Sequence, residues 1–191
     1  SDTGYDSPFA QQREMKKVAI VAFSSNSSLA GAFNANVIKQ FDTVFADYKQ
    51  QIGVENIEVY PLGKKIADAV KKRGIYLMGT YPELIEKPND KPIADLSYEL
   101  IKKFLDGEID KIVLLYHHFK STGSQIMTRA TFLPFDLSAI KSDDNKNSFQ
   151  VDYILEPSKE EILSELIPKV LVSRMFAALL DSVASEHAAR T

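Results

Sequence analysis

Two hydrophobic periods alternate along the chain. Val18-Ala19-Ile20-Val21-Ala22-Phe23 is a continuous apolar run between Lys16-Lys17 and Ser24-Ser25. A run of that length without alternation suits a parallel strand covered on both faces. Over about residues 30–51 the period changes, with Phe33, Val37, Phe41, Val44, Phe45 and Tyr48 recurring at helical spacings of three and four. Ile57 to Tyr60 predicts a second strand closed by Pro61. A helix over 63–73 then ends at Gly74, a residue suited to the left-handed stop after a helix. Ile75-Tyr76-Leu77-Met78 predicts a further strand, and Pro82, Pro88 and Pro92 predict a surface loop over 80–92. Leu96, Leu100, Ile101, Phe104 and Leu105 place the next helix over 92–106, stopped by Gly107.

Lys111 to Tyr116 is the second fully apolar strand. The polar turn from Phe119 to Ser124 is short enough to make the next strand, about 125–134, antiparallel to it. Residues 141–148 are all polar and predict an exposed tip, and Val151 to Leu155 a last short strand ending at Glu156-Pro157. From Ser158 onward a single helical pattern runs to the end. Ser158 and Glu161 have capping-box spacing, and Pro168 is expected to bend or interrupt the helix. Such a helix would extend roughly 50 Å, longer than a domain of this size is wide. The predicted class is α/β: a three-layer α/β/α (Rossmann-like) domain with a mostly parallel five-stranded sheet, its last strand antiparallel, and a long carboxy-terminal helix projecting from it. The expected division is an extended lead-in without structure over 1–15, a globular domain over 16–157 and the long helix over 158–191.

Composition narrows the function classes. The 191 residues are 45% hydrophobic and 26% charged, ordinary for a soluble globular domain, with a formal charge of −3. Nothing in that balance points to nucleic acid, and Lys71-Lys72-Arg73 reads as the cationic last turn of a helix. The chain has no cysteine, which excludes disulfides, thiolate metal sites and a cysteine nucleophile. No apolar run approaches the roughly 18 residues of a membrane span, so membrane association is expected only through partners. Ser1 in place of methionine suggests a processed or truncated chain.

The candidate chemistry is sparse. The strand-to-helix loop from Ser24 to Gly31 could cradle a phosphate on free helix amides. It lacks the Gly-Lys-Ser/Thr ending of a P-loop and the three glycines of a dinucleotide fingerprint, so its Ser and Asn are expected to cap the following helix. Adjacent His117 and His118 point to opposite faces of a strand and cannot readily share a metal. His187 and Glu186 read as a solvated helix face, and Asp143-Asp144 and Glu160-Glu161 sit where no cleft would shift a pKa. No catalytic residue, metal ligand or cofactor is expected. On the long helix, apolar residues spread around too much of the circumference for one contact face, and Ala177, Ala184 and Ala188 form a stripe of small residues. A globular domain would cover the first turns only, which predicts a missing helical partner.

Ser25-Asn26-Ser27-Ser28-Leu29-Ala30-Gly31-Ala32-Phe33-Asn34-Ala35-Asn36 is similar, at Ser25, Leu29, Gly31, Phe33, Asn34 and Asn36, to the signature Ser-Asp-basic-Gly-Leu-Cys-Gly-x-Phe-Asn-x-Asn of one family, the gamma subunits of F-type ATP synthase. Tyr116-His117-His118-Phe119 with Gln125 and Leu133-Pro134 resembles a second patch, Asp152 to Pro157 a Tyr-x-x-Glu-Pro segment, and Ala184 to Arg190 a Ser-Glu-x-Ala-Ala-Arg segment. Asn26, Ser28 and Ala30 depart from the pattern, where the family has Asp, Gly and Cys. The resemblance implies a non-catalytic rotor component that transmits torque, with an amino-terminal helix before this segment and a longer last helix after it. Implied partners are the alpha and beta subunits of the catalytic head, the epsilon subunit and the membrane rotor ring, at the cytoplasmic face of the bacterial inner membrane; no cofactor, nucleic acid or direct membrane insertion is implied. Leu163, Leu166, Val170, Ala177, Leu180 and Ala184 are the expected shaft-packing stripe, and Glu156 the expected foot contact. The rival readings are a small phosphate- or nucleotide-binding module using the Ser24–Gly31 loop, and an interaction domain that dimerises through the helix.

Overall fold

The structure, a computed structural model, describes residues 6–28, 30–138 and 158–190. Strands β1 (Val18–Phe23), β2 (Ile57–Leu62), β3 (Lys111–Ser121) and β4 (Ser124–Leu133) form one sheet in the order β2-β1-β3-β4. β1 pairs parallel with β2, from Val18 opposite Ile57 to Phe23 opposite Leu62, and parallel with β3, from Val18 opposite Lys111 to Ala22 opposite Leu115. The β3–β4 hairpin is antiparallel. Helices α1 (Phe33–Ile52) and α2 (Lys64–Lys72) cover one face; α3 (Pro82–Glu86), α4 (Asp90–Leu105) and α5 (Lys159–Arg190) cover the other.

Alternation along β1 explains its unbroken apolarity. Val18, Ile20 and Ala22 face α1 and α2 among Val37, Phe41, Val44, Ile66 and Val70. Ala19, Val21 and Phe23 face α4 and α5 among Leu96, Leu100, Phe104, Leu171 and Met175. Both sets are fully buried, so the α/β/α layering follows from a strand with no polar side.

Several expectations are corrected. The sheet has four strands among the described residues, because residues 75–78 contribute only a single parallel bridge, Leu77 to Val59. Pro61 does not close β2, which runs on to Leu62; β2 is an edge strand, where an absent N–H removes no ladder bond. The proline-rich stretch is not a loop throughout: Pro82 starts α3, whose Leu84 and Ile85 are buried, and Pro92 lies in the first turn of α4, where its missing donor costs nothing. The segment before residue 16 is structured where it is described. Pro8–Ala10 is a 3-10 turn, Phe9 is buried, and Arg13 reaches the Asp110 carboxylate at 3.0 Å and the carbonyls of Phe104 and Ile109. The strand at Val151–Leu155, the polar tip and Asp143-Asp144 lie outside the described residues.

α5 departs most from expectation. It is continuous from Lys159 to Arg190 with Pro168 inside it, and the Ser158 hydroxyl accepts from the Glu161 amide. It does not project from a domain that covers only its first turns. Leu163, Ile167, Leu171, Met175, Ala178, Leu179, Ser182, Ser185 and Glu186 make one buried stripe along the whole helix, against β3, β4 and α4.

Candidate functional site

The 24–34 loop, the middle of β3 and the last turns of α5 meet at one end of the sheet. The loop's polar groups do not cap α1, whose N-cap Ala32 makes no side-chain bond. They cap α2 instead. The amide of Lys64 donates to Asn26 Oδ1 at 2.8 Å, that of Lys65 to the Ser25 carbonyl at 3.1 Å and that of Ile66 to Ser24 Oγ at 2.9 Å. Three of the four donors a helix start leaves free are thus satisfied by one tripeptide from another loop. The approach requires Gly63 at φ 118°, since a Cβ there would lie 2.4 Å from the Ser24 carbonyl oxygen.

The same tripeptide is held from behind. Asn34 Oδ1 accepts from the Ser25 amide at 2.9 Å and its hydroxyl at 3.0 Å, while Asn34 Nδ2 donates to the Ser27 carbonyl at 2.8 Å. Asn26 Nδ2 donates to the Pro82 carbonyl at 2.8 Å and to Glu86 Oε1 at 3.3 Å, tying α3 to the loop. These groups are engaged with one another, which leaves little for an anion. Ser24, Ser25 and Asn26 thus spend their side chains on α2, α3 and Asn34 rather than on a phosphate cradle.

β1 stops at Phe23, but β3 continues, and α5 takes over where the β1–β3 ladder ends. The His117 amide donates to Ser182 Oγ at 3.3 Å, and Ser185 Oγ donates to the His117 carbonyl at 3.4 Å. The His117 ring stacks on Phe33, the first residue of α1, with centroids 4.2 Å apart. Only 2% of His117 is exposed, and burial pushes its ring well below the ordinary histidine value, to about 4. His118 faces the other way, half-exposed, with Nδ1 2.8 Å from Asp181. The two histidines therefore divide between core and surface, as alternation requires.

At the end of α5, His187 is exposed but Glu186 is not on a solvated face: it is 4% exposed and bonded by Arg190 Nε one turn on. The Ala189 carbonyl lies 3.8 Å from where a Cβ on Gly31 would sit, and Gly31 has a φ of 57°. Among the motif residues, Ser25, Gly31, Phe33 and Asn34 thus converge here, while Asn36 is exposed one turn along α1 and Leu29 lies outside the described residues. Sequence reasoning missed Ser182 and Ser185, although their spacing from Ala178 and Leu179 continues the apolar stripe and marks them as facing inward. It also missed Asn26 as a cap for a distant helix, for which no local signal exists.

The expected shaft stripe divides. Leu163 belongs to the domain core and Val170 packs half-buried against it. Leu166 and Leu180 are 41% and 43% exposed, Ala177 is exposed, and Ala184 is half-buried. Glu156 lies outside the described residues, and Glu160 and Glu161 are exposed in the first turn of α5. Among the described residues no group of His, Asp and Glu could hold a metal.

A family model described as ATP synthase matches residues 1–191. The ATP synthase gamma chain of Bacteroides fragilis (strain ATCC 25285) is 50% identical over 191 residues, covering 100% of this chain and 66% of that protein. The ATP synthase gamma chain of Phocaeicola vulgatus is 47% identical, covering 100% of this chain and 65% of that protein. The chain thus spans a little under two thirds of the length of these curated relatives. Among solved structures, a chain of the central stalk/c-ring of Tetrahymena thermophila mitochondrial ATP synthase has the same fold, with a TM-score of 0.67 at 19% identity over 94% of this chain and 75% of that one. A chain of the Euglena gracilis mitochondrial ATP synthase rotor superposes with a TM-score of 0.61 at 16% identity, over 92% of this chain and 64% of that one.

Proposed function

Because the chain belongs to the ATP synthase gamma-chain family, we propose that it is the globular domain, with part of the shaft helix, of a non-catalytic central-stalk subunit. Its task is mechanical: it passes rotation from an ion-driven membrane ring to the catalytic alpha/beta head. The observation that carries this reading beyond family membership is the two-sided α5. Its inner stripe is buried against the sheet and bonded to it at Ser182 and Ser185, while Leu166, Ala177 and Leu180 stay open on the outside. A lever needs both a fixed face and a free one. Leu163 serves the fixed face, while Leu166, Val170, Ala177, Leu180 and Ala184 are the residues that would meet a second shaft helix, and Glu156 would contribute to the foot. The partners in this reading are the alpha, beta and epsilon subunits and the ring. The chain would sit peripherally at the cytoplasmic face of the membrane; no described helix is long and apolar enough to cross one.

The test uses the full-length subunit in the assembled enzyme. Leu166→Glu with Leu180→Glu should leave the isolated subunit folded by circular dichroism yet strongly reduce ATP-driven ion pumping in inverted vesicles. Pumping at the wild-type level would overturn the shaft assignment.

A further inference from the structure

Among the described residues, the only buried side-chain nitrogens without a hydrogen-bond partner are Nδ1 and Nε2 of His117. Buried polar groups are nearly always paired, so a ring with both nitrogens unpaired asks for an explanation. Its position is also mechanical. The His117 backbone is the point at which Ser182 and Ser185 clasp the end of α5 to the sheet, and its ring is the surface on which α1 begins. We propose that His117 is an acid-sensitive latch: neutral, it seats the last turns of α5 and the first turn of α1 on β3, and protonation unseats both.

The surroundings leave a charged ring nowhere to go. The first turn of α1 carries no acid. On β4, opposite Met127, the nearest charge on the same face is Arg129, a cation that bonds Tyr48 Oη at 2.7 Å. On β3, His118 points to the other face and holds Asp181, and Lys120 is exposed. From α5, Glu186 is taken by Arg190, with His187 3.6 Å from its other oxygen. No carboxylate bonds the ring, so an imidazolium must reach water, and the ring can do so only by leaving Phe33 and shifting the β3 backbone that the two serines hold. Burial keeps the folded ring at about 4 against 6.5 for a free histidine. The sign follows: the latch is fully closed above about pH 6.5 and weakens as the pH falls towards 4. It is independent of the rotor assignment.

Hydrogen exchange of the intact protein, corrected at each pH for the intrinsic rate, reads the latch directly. Between pH 7 and 4.5, protection of residues 182–189 and of the first turn of α1 should fall at least about tenfold relative to the rest of the sheet. His117→Phe should abolish that fall, and His118→Gln should keep it. Should the phenylalanine variant not fold, His117→Gln, polar but non-titrating, gives the same readout. Unchanged wild-type protection overturns the proposal, as does a fall that persists without His117. So does a His117 ring that titrates by NMR near 6.5 while the end of α5 stays protected.

Discussion

Asn26 stands where the resembling family carries Asp, and its surroundings in this chain explain the exchange. An amide can accept from the Lys64 amide and still donate to the Pro82 carbonyl and to Glu86, whereas a carboxylate can only accept and would face Glu86 with like charge. Asn26→Asp is therefore expected to destabilise the chain by about 1–3 kcal/mol in urea unfolding, and Glu86→Gln added to it should recover part of the loss. A direct gain in stability from Asn26→Asp would contradict this account. Gly63 is the stricter case, since φ 118° and a 2.4 Å approach to Ser24 both exclude a Cβ. Gly63→Ala should cost at least about 2 kcal/mol and loosen the start of α2, measurable as faster amide exchange at Lys64 to Ile66.

At the scale of elements, α5 is two surfaces on one rod. Truncating the inner stripe removes core: Leu171→Ala should cost roughly 2–5 kcal/mol. Leu180→Ala, on the open face, should stay within about 0.5 kcal/mol in the isolated chain. Equal losses at both positions would mean that the two faces are not distinct. The other element with a decisive fastening is α4. Its end is closed by Arg13, which bonds the Phe104 and Ile109 carbonyls while Asp110 gathers the amides of Lys16 and Lys17. Burial alone would raise the Asp110 carboxyl, but those two amides and the Arg13 guanidinium outweigh it and hold the group below the ordinary 3.8. A depressed acid contributes stability that is present above its unfolded value and lost as the pH falls through its folded one. The lead-in should thus detach only below about pH 4, and Asp110→Asn should detach it at neutral pH. Limited proteolysis between residues 10 and 17 would register both.

For the whole molecule, the layers, the loop junction and the buried stripe of α5 join into one packed body. The groups at the 24–34 junction satisfy one another, so calorimetric titration with ATP, ADP or phosphate should show no binding at micromolar concentrations. Ser25→Ala should lower the unfolding midpoint instead. Micromolar binding of a nucleotide that Ser25→Ala abolishes would reverse the assignment of the loop. Much of this body was legible beforehand. β1, α1 and α4 each declare their period: β1 keeps its expected bounds, and those of α1 and α4 move by one to three positions. β3 runs further than its apolar stretch because His117 to Ser121 pair with β4 after the hydrophobic pattern has ended. Residues 75–78 read as a strand but make a single bridge, since four apolar residues look alike in either setting.

The α/β class, the parallel core and the family are readable along the chain alone, because they depend on local period and on short motifs that survive without neighbours. Packing across the fold sets which helix the Ser24–Asn26 tripeptide caps, that Phe9 and Arg13 fasten the lead-in, and that Glu186 lies inside. The cap and the Arg13 fastening join residues tens of positions apart, and a hydrogen-bonding side chain carries no record in its own neighbourhood of which distant group it will meet; Glu186 bonds Arg190 on its own helix, and its burial follows from the layers α5 packs against. α5 shows the division most plainly: its residues are apolar around most of the helix, so period alone could not say which side the domain covers. The packing chose one stripe along the full length and left Leu166 and Leu180 outside.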